Sequence, residues 1–184
     1  IDVNKKSVLK PSCDSNDNQS EKSPLFYAVE TENVEIVKIL KSRKDIKINE
    51  TCVFYNENLG YTYSEAAVLV KAVLIVNVEI FDLLLTNEDI DYNCVFKFRK
   101  NKEDELQEKS VFYAACELQR KETVSSFLSL ANLDVNYACS FKFKDNEGFF
   151  KTNPLYIACD NKDIDIVKSL LRREDIDINY KSQY

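Results

Sequence analysis

Residues 154–179 read PLYIACDNKDIDIVKSLLRREDIDIN, and this stretch decides the fold because the chain carries it three more times in altered form. The copies are VFYAACELQRKETVSSFLSLANLDVN at 111–136, VLVKAVLIVNVEIFDLLLTNEDIDYN at 68–93 and PLFYAVETENVEIVKILKSRKDIKIN at 24–49. Their closing asparagines, Asn49, Asn93, Asn136 and Asn179, stand 44, 43 and 43 residues apart. A fixed period of this size marks an array of like units rather than one globular core.

Each unit reads as two short helices. Pro24 and Pro154 suit a first helical position, and Ser23 and Asn153 before them suit a cap. A second helix starts after Asn33, Asn77 or Asp163, and Ile166, Val167, Leu170 and Leu171 lay one apolar stripe along the last of these. Helices this short are not stable alone, so neighbouring units must cover their apolar sides, as in a solenoid.

The residues that open and close each unit carry a resemblance. Ser23-Pro24-Leu25-Phe26-Tyr27-Ala28 and Asn153-Pro154-Leu155-Tyr156-Ile157-Ala158 resemble the T-P-L-H-x-A opening of an ankyrin repeat. The I-V-K-x-L-L run and the D-I-N exit resemble its second helix and end. Three features depart from that pattern. Glu32, Val76, Gln119 and Lys162 stand where these repeats usually place glycine, the loop after the second helix is one residue longer, and the two middle units lack the proline.

The connectors from Asn49 to Val68, Asn93 to Val111 and Asn136 to Pro154 run 19, 18 and 18 steps. That is about twice what a plain repeat of roughly 33 residues leaves. Each begins with alternating strand-type residues and turns through polar ones, and both glycines, Gly60 and Gly148, fall in such turns. Cys94, Phe96 and Phe98 alternate with Val95, Lys97 and Arg99, and Cys139, Phe141 and Phe143 with Ser140, Lys142 and Lys144. The expectation is three long β-hairpin fingers that stack by their apolar faces and leave the cationic faces in water.

The fold class is therefore mainly α with added strands (α+β), an ankyrin-type helical solenoid with long β-hairpin fingers. The chain divides into the tail of a preceding repeat (1–4), a polar connector (5–22), repeats at 23–49, 68–93, 111–136 and 153–184, and fingers at 50–67, 94–110 and 137–152. It starts inside a repeat and has no methionine, which reads as a portion of a longer or processed protein.

Composition excludes several functions. With 25 basic and 31 acidic residues the net charge is −6, unsuited to a nucleic-acid ligand. The greasiest run, Ala66 to Leu85, is broken by Lys71, Asn77, Glu79 and Asp82, so no membrane span is expected. With no histidine, the Ser-His-Asp and Cys-His nucleophile arrangements and the usual zinc hydrolase sets are out of reach, and no enzyme activity or cofactor is expected. Asp89-Ile90-Asp91-Tyr92-Asn93 and Asp175-Ile176-Asp177-Ile178-Asn179 open like a calcium loop, but Cys94 and Tyr180 follow where glycine is required.

The six cysteines include no C-x-x-C pair. Cys116 and Cys159 take the place of Val29 and Val73, so they read as packing residues, and Cys13 alone lies in a polar loop. This usage suits a reducing, intracellular and cytoplasmic compartment.

The resemblance implies a non-enzymatic module that presents a concave surface and finger tips to a protein partner. The first-helix positions it points to are Glu30 and Thr31, Leu74 and Ile75, Glu117 and Leu118, and Asp160 and Asn161. Leu74, Ile75 and Leu118 form an acid-rimmed apolar groove if exposed, whereas a rotated second repeat would bury Leu74 and Ile75 as core. A second candidate is the cationic finger face of Lys97, Arg99, Lys142 and Lys144, suited to an acidic partner. The alternative function is an architectural or self-associating scaffold, with strand edges pairing or open repeat ends stacking.

Overall fold

The computed structural model describes residues 2–9, 20–56, 58–101, 104–142 and 149–183. Each repeat is a pair of antiparallel helices: α1 (Pro24–Glu30) with α2 (Val34–Lys41), α3 (Val68–Ile75) with α4 (Val78–Leu85), α5 (Val111–Glu117) with α6 (Lys121–Leu128), and α7 (Pro154–Asp160) with α8 (Ile164–Leu170). Side chains start most of them. Ser23 Oγ accepts from Phe26 N at 3.2 Å, Ser110 Oγ from Tyr113 N at 3.1 Å and Asn153 Oδ1 from Tyr156 N at 2.8 Å. Asn33, Asn77 and Asp163 do the same for three second helices, while Ala67 and Arg120 supply no side-chain cap.

The chain forms two compact units. The first comprises residues 1–91 and 96–106. In it α1 packs on α3 and α2 on α4, so like helices stack on like. Strands β1 (Ser7–Leu9), β2 (Ser20–Lys22), β3 (Cys52–Asn56), β4 (Tyr61–Ala66) and β5 (Val95–Arg99) pair antiparallel in sequence order. The second unit comprises residues 92–95 and 107–184. There α5 packs on α7 and α6 on α8, β6 (Gln107–Ser110) lies beside β7 (Cys139–Lys142), and β7 pairs with β8 (Phe149–Thr152).

Two arrangements differ from the expectation. The connector 5–22 carries a strand at each end, β1 and β2, paired through Ser7–Lys22, Val8–Glu21 and Leu9–Ser20. The first two fingers also do not stack by their apolar faces. β4 and β5 join edge to edge through Thr62–Arg99, Tyr63–Phe98 and Ser64–Lys97. Pairing satisfies backbone groups that two separate hairpins would leave open, and it frees the aromatic face to cover helices. Phe54 sits 5.0 Å from Phe26 and stacks on Tyr63 at 4.9 Å, and Tyr63 continues to Phe96 at 5.6 Å. The alternation itself holds: Phe54, Tyr63, Phe96 and Phe98 are buried, while Tyr55 and Val95 are exposed. In the second unit Phe112 meets Phe127 at 5.5 Å and Tyr113 meets Phe141 at 5.7 Å. Phe143, Lys144 and Gly148 lie outside the described residues.

The turn between helices keeps a left-handed residue without glycine. Glu32, Val76, Gln119 and Lys162 have φ of 54°, 64°, 56° and 58°. Around three of them the backbone closes the same pair of bonds: Asn33 N to Ala28 O and Glu32 N to Val29 O, Arg120 N to Ala115 O and Gln119 N to Cys116 O, and Asp163 N to Ala158 O and Lys162 N to Cys159 O. These bonds satisfy helix-end carbonyls and impose the conformation that glycine otherwise favours. The strain is largest at Val76, where a β-branched side chain occupies this region. Val76→Gly is expected to raise the unfolding free energy by about 1 kcal/mol, after allowance for the extra freedom of glycine in the unfolded chain. Urea unfolding checks it, and an unchanged or lower midpoint would mean that the turn carries no such strain.

Cysteines serve mainly as packing residues. Cys52, Cys116 and Cys139 are buried; burial pushes the Cys52 and Cys116 thiols up and takes Cys139 up to about 12. Cys159 departs from the expectation and is exposed. Cys13 lies outside the described residues.

Candidate functional site

The candidate first-helix residues fall at the last turns of α1, α3, α5 and α7, just before or at the left-handed turn. In the first unit Leu74 and Ile75 are half-buried, neither core nor fully exposed, and Val76 after them is exposed. Glu30 is held from two sides. Lys22 Nζ lies 2.5 Å from its Oε2 and Lys71 Nζ 2.8 Å from its Oε1. The Lys71 ammonium also sits 4.8 Å from the Phe54 ring centroid. Burial raises the Glu30 carboxyl, but the hydrogen bonds from Lys22 and Lys71 outweigh it and hold the group below the ordinary carboxylate range.

The second unit repeats half of this arrangement. Lys109 Nζ donates to both oxygens of Glu117, at 2.8 and 2.6 Å, and lies 5.3 Å from the Phe141 ring centroid. Leu118, half-buried, caps α5. Asp160 is exposed, and Asn161 Nδ2 donates to Glu117 O at 3.0 Å, so the ends of α5 and α7 lie side by side. The sequence reading missed these lysine partners although a signal exists. Lys22 and Lys109 each precede the capping serine and stand eight residues before Glu30 and Glu117.

The cationic finger face is only partly open. Lys97 Nζ pairs with Glu65 Oε1 at 2.7 Å, Arg99 and Lys142 are half-buried, and Lys142 O accepts from Gln107 Nε2 at 3.3 Å. Lys144 lies outside the described residues.

The calcium-like pattern has a different use. Asn49 Nδ2 donates to Asp89 O at 2.6 Å and its Oδ1 accepts from Asp91 N at 2.8 Å. Asn136 makes the same two bonds to Asp175 O and Asp177 N, at 2.7 and 2.8 Å. Asn4 bonds Asp45 O and Lys47 N, and Asn93 bonds Asn132 O and Asp134 N. Asn4, Asn49, Asn93 and Asn136 therefore each clamp the equivalent loop one period further along the chain. Asn136→Ala is expected to cost about 1–2 kcal/mol in unfolding free energy, and Asn179→Ala, whose side chain makes no such clamp among the described residues, less than about 0.5. Equal losses by chemical denaturation would sink the clamp reading.

No described helix is long and apolar enough to cross a membrane. Comparison with curated proteins finds no match. Among solved structures the chain resembles the ankyrin repeat domain of Bcl-3, a member of the IkappaB protein family, with a TM-score of 0.59 and 19% identity over 86% of this chain and 59% of that one. It also resembles EF0377, an ankyrin repeat protein, with a TM-score of 0.57 and 23% identity over 86% of this chain and 65% of that one. The chain thus spans less than two thirds of either structure. Residues 69–182, more than half of the chain, match the family model for ankyrin repeats in three copies, and the chain belongs to the ankyrin repeat family.

Proposed function

We propose that the chain is a non-enzymatic protein-interaction module whose contact residues lie at the first-helix ends. Ankyrin repeat domains generally mediate protein–protein interaction and are typically non-catalytic. The observation that carries the finer reading is the apolar run at the end of α3, half-buried Leu74 and Ile75 leading into exposed Val76. In the second unit half-buried Leu118 supplies the apolar contact and exposed Asp160 its acidic neighbour. Half-buried apolar residues held on packed helices lose little freedom on binding, so more of the contact energy appears as affinity. Glu30 and Glu117 are already ion-paired, and their role is to fix the helix ends rather than to meet a partner's charge. The finger cations Lys97, Arg99 and Lys142 form a second, more polar contact region.

The test is affinity capture with the purified chain beside Leu74→Asp/Leu118→Asp, after confirming that the variant keeps the parent's unfolding midpoint. A protein retained by the parent and lost by the folded variant is the expected result. The same protein captured equally by both would overturn the assignment of these residues.

A further inference from the structure

The first and third repeats are built alike where a finger meets a first helix, and they differ there by two hydroxyl groups. In the first, Phe26 of α1 packs on Phe54 of β3, and Cys52 at the start of β3 pairs across the finger with Ala66. In the third, Tyr113 of α5 packs on Phe141 of β7, and Cys139 at the start of β7 pairs with Thr152. Tyr113 thus takes the place of Phe26, and Thr152 the place of Ala66. Each exchange brings a hydroxyl into closed packing: Phe26 and Ala66 are 0% exposed, Thr152 0% and Tyr113 2%.

The two hydroxyls are neighbours without a well-formed hydrogen bond between them. Burial pushes the Tyr113 hydroxyl up, the Glu117 carboxylate adds to the rise, and Thr152 beside it acts in the opposite direction. Thr152 Oγ1 nevertheless has no hydrogen-bond partner among the described residues. A buried hydroxyl in that condition costs free energy, and protein interiors satisfy such groups with protein atoms or with ordered water. Thr152 is fully closed off by its surroundings, so a partner that reaches it must be small enough to be enclosed with it. The setting is polar as well. Glu117 lies four residues along α5 from Tyr113, on the same helix face, and Lys109 Nζ donates to both its oxygens. The helix and both strands belong to the second unit.

We propose that the second unit binds one buried water molecule between the Tyr113 hydroxyl and Thr152 Oγ1, joining the return strand of the third finger to α5. Water suits this place because each hydroxyl both donates and accepts, and a water can donate to one while accepting from the other. The first repeat has no counterpart, since Phe26 and Ala66 offer a water nothing to bond. Apolar contact closes the joint there, and a hydrogen-bonded bridge closes it here. The site is separate from the first-helix ends proposed for a protein partner and does not rest on that reading.

The experiment is a high-resolution crystal structure of the whole chain, solved beside Tyr113→Phe, Thr152→Val and the double variant. The parent is expected to show one ordered water about 2.7–2.8 Å from both oxygens, and the double variant none, with ring and branched side chain in their original places. Urea unfolding of the same four proteins supplies a second readout. Either single variant leaves the other hydroxyl short of a partner and is expected to raise the unfolding equilibrium constant ~5-fold. The double variant is expected to raise it no further than either single one, because it removes both groups that the water serves. A parent crystal in which the two hydroxyls bond directly to each other, or in which no water lies between them, sinks the proposal. Single losses that simply add in the double variant do so too, since independent hydroxyls share no bridge.

Discussion

Phe54→Ala is expected to lower the unfolding free energy by about 3–5 kcal/mol, the range for removing a buried aromatic side chain and leaving a cavity. Phe54 is fully buried and ties three elements together. Its ring stacks on Tyr63 of β4 with an interplanar angle of 7°, packs against Phe26 of α1, and lies under the Lys71 ammonium of α3. The truncation therefore removes an aromatic stack and a cation–π contact besides apolar area, and it weakens the hold of the sheet on the helices. Tyr55, the next residue along β3, points outward and is exposed. Tyr55→Ala is expected to change stability by less than about 0.5 kcal/mol. The pair separates the buried face from the strand itself, because both residues occupy the same strand and differ only in direction. Equal losses in guanidinium unfolding would mean that the alternation does not decide which face carries the packing energy.

The repeat was legible because a period survives substitution, so four weak copies reinforce one another. The caps were legible too, since Ser23, Asn33 and Asn153 act on backbone within three residues of themselves. The left-handed turns were not. Nothing local in Glu32, Val76, Gln119 or Lys162 favours positive φ; the conformation follows from the bonds that end one helix and start the next. β1 and β2 have three residues each, too few to show alternation. The joining of β4 to β5 depends on an edge supplied more than thirty residues away along the chain, and neither strand announces its neighbour. At the candidate site, the exposure of Leu74 and Ile75 depends on tertiary packing that periodicity leaves open. The Lys-Ser pair eight residues before Glu30 and Glu117 was visible, yet its meaning requires knowing that the finger's return strand runs past the end of the first helix.

That lysine–glutamate arrangement sets the second large effect. Glu30→Gln is expected to cost about 2–3 kcal/mol near neutral pH, below the usual 3–5 for breaking a buried pair because Glu30 and Lys22 retain some contact with water. The loss comes less from the missing attraction than from what remains: the Lys71 side chain is only 9% exposed, and without the carboxylate its charge stays buried beside Lys22 with no countercharge. Glu30→Leu combined with Lys71→Met is accordingly expected to recover most of the stability that Glu30→Leu alone removes. Glu35→Gln, in an exposed pair with Lys38, is expected to cost no more than about 0.5 kcal/mol. The pH dependence follows from the direction of the shift. A carboxyl held below its unfolded value adds stability above the ordinary carboxylate range and loses it as the pH falls through the lower folded value. The gap between the parent and Glu30→Gln should therefore be full near neutral pH and close on acidification through that window. A gap that stays constant down to acid, measured by urea unfolding at a series of pH values, would show that the side chain acts through shape rather than charge.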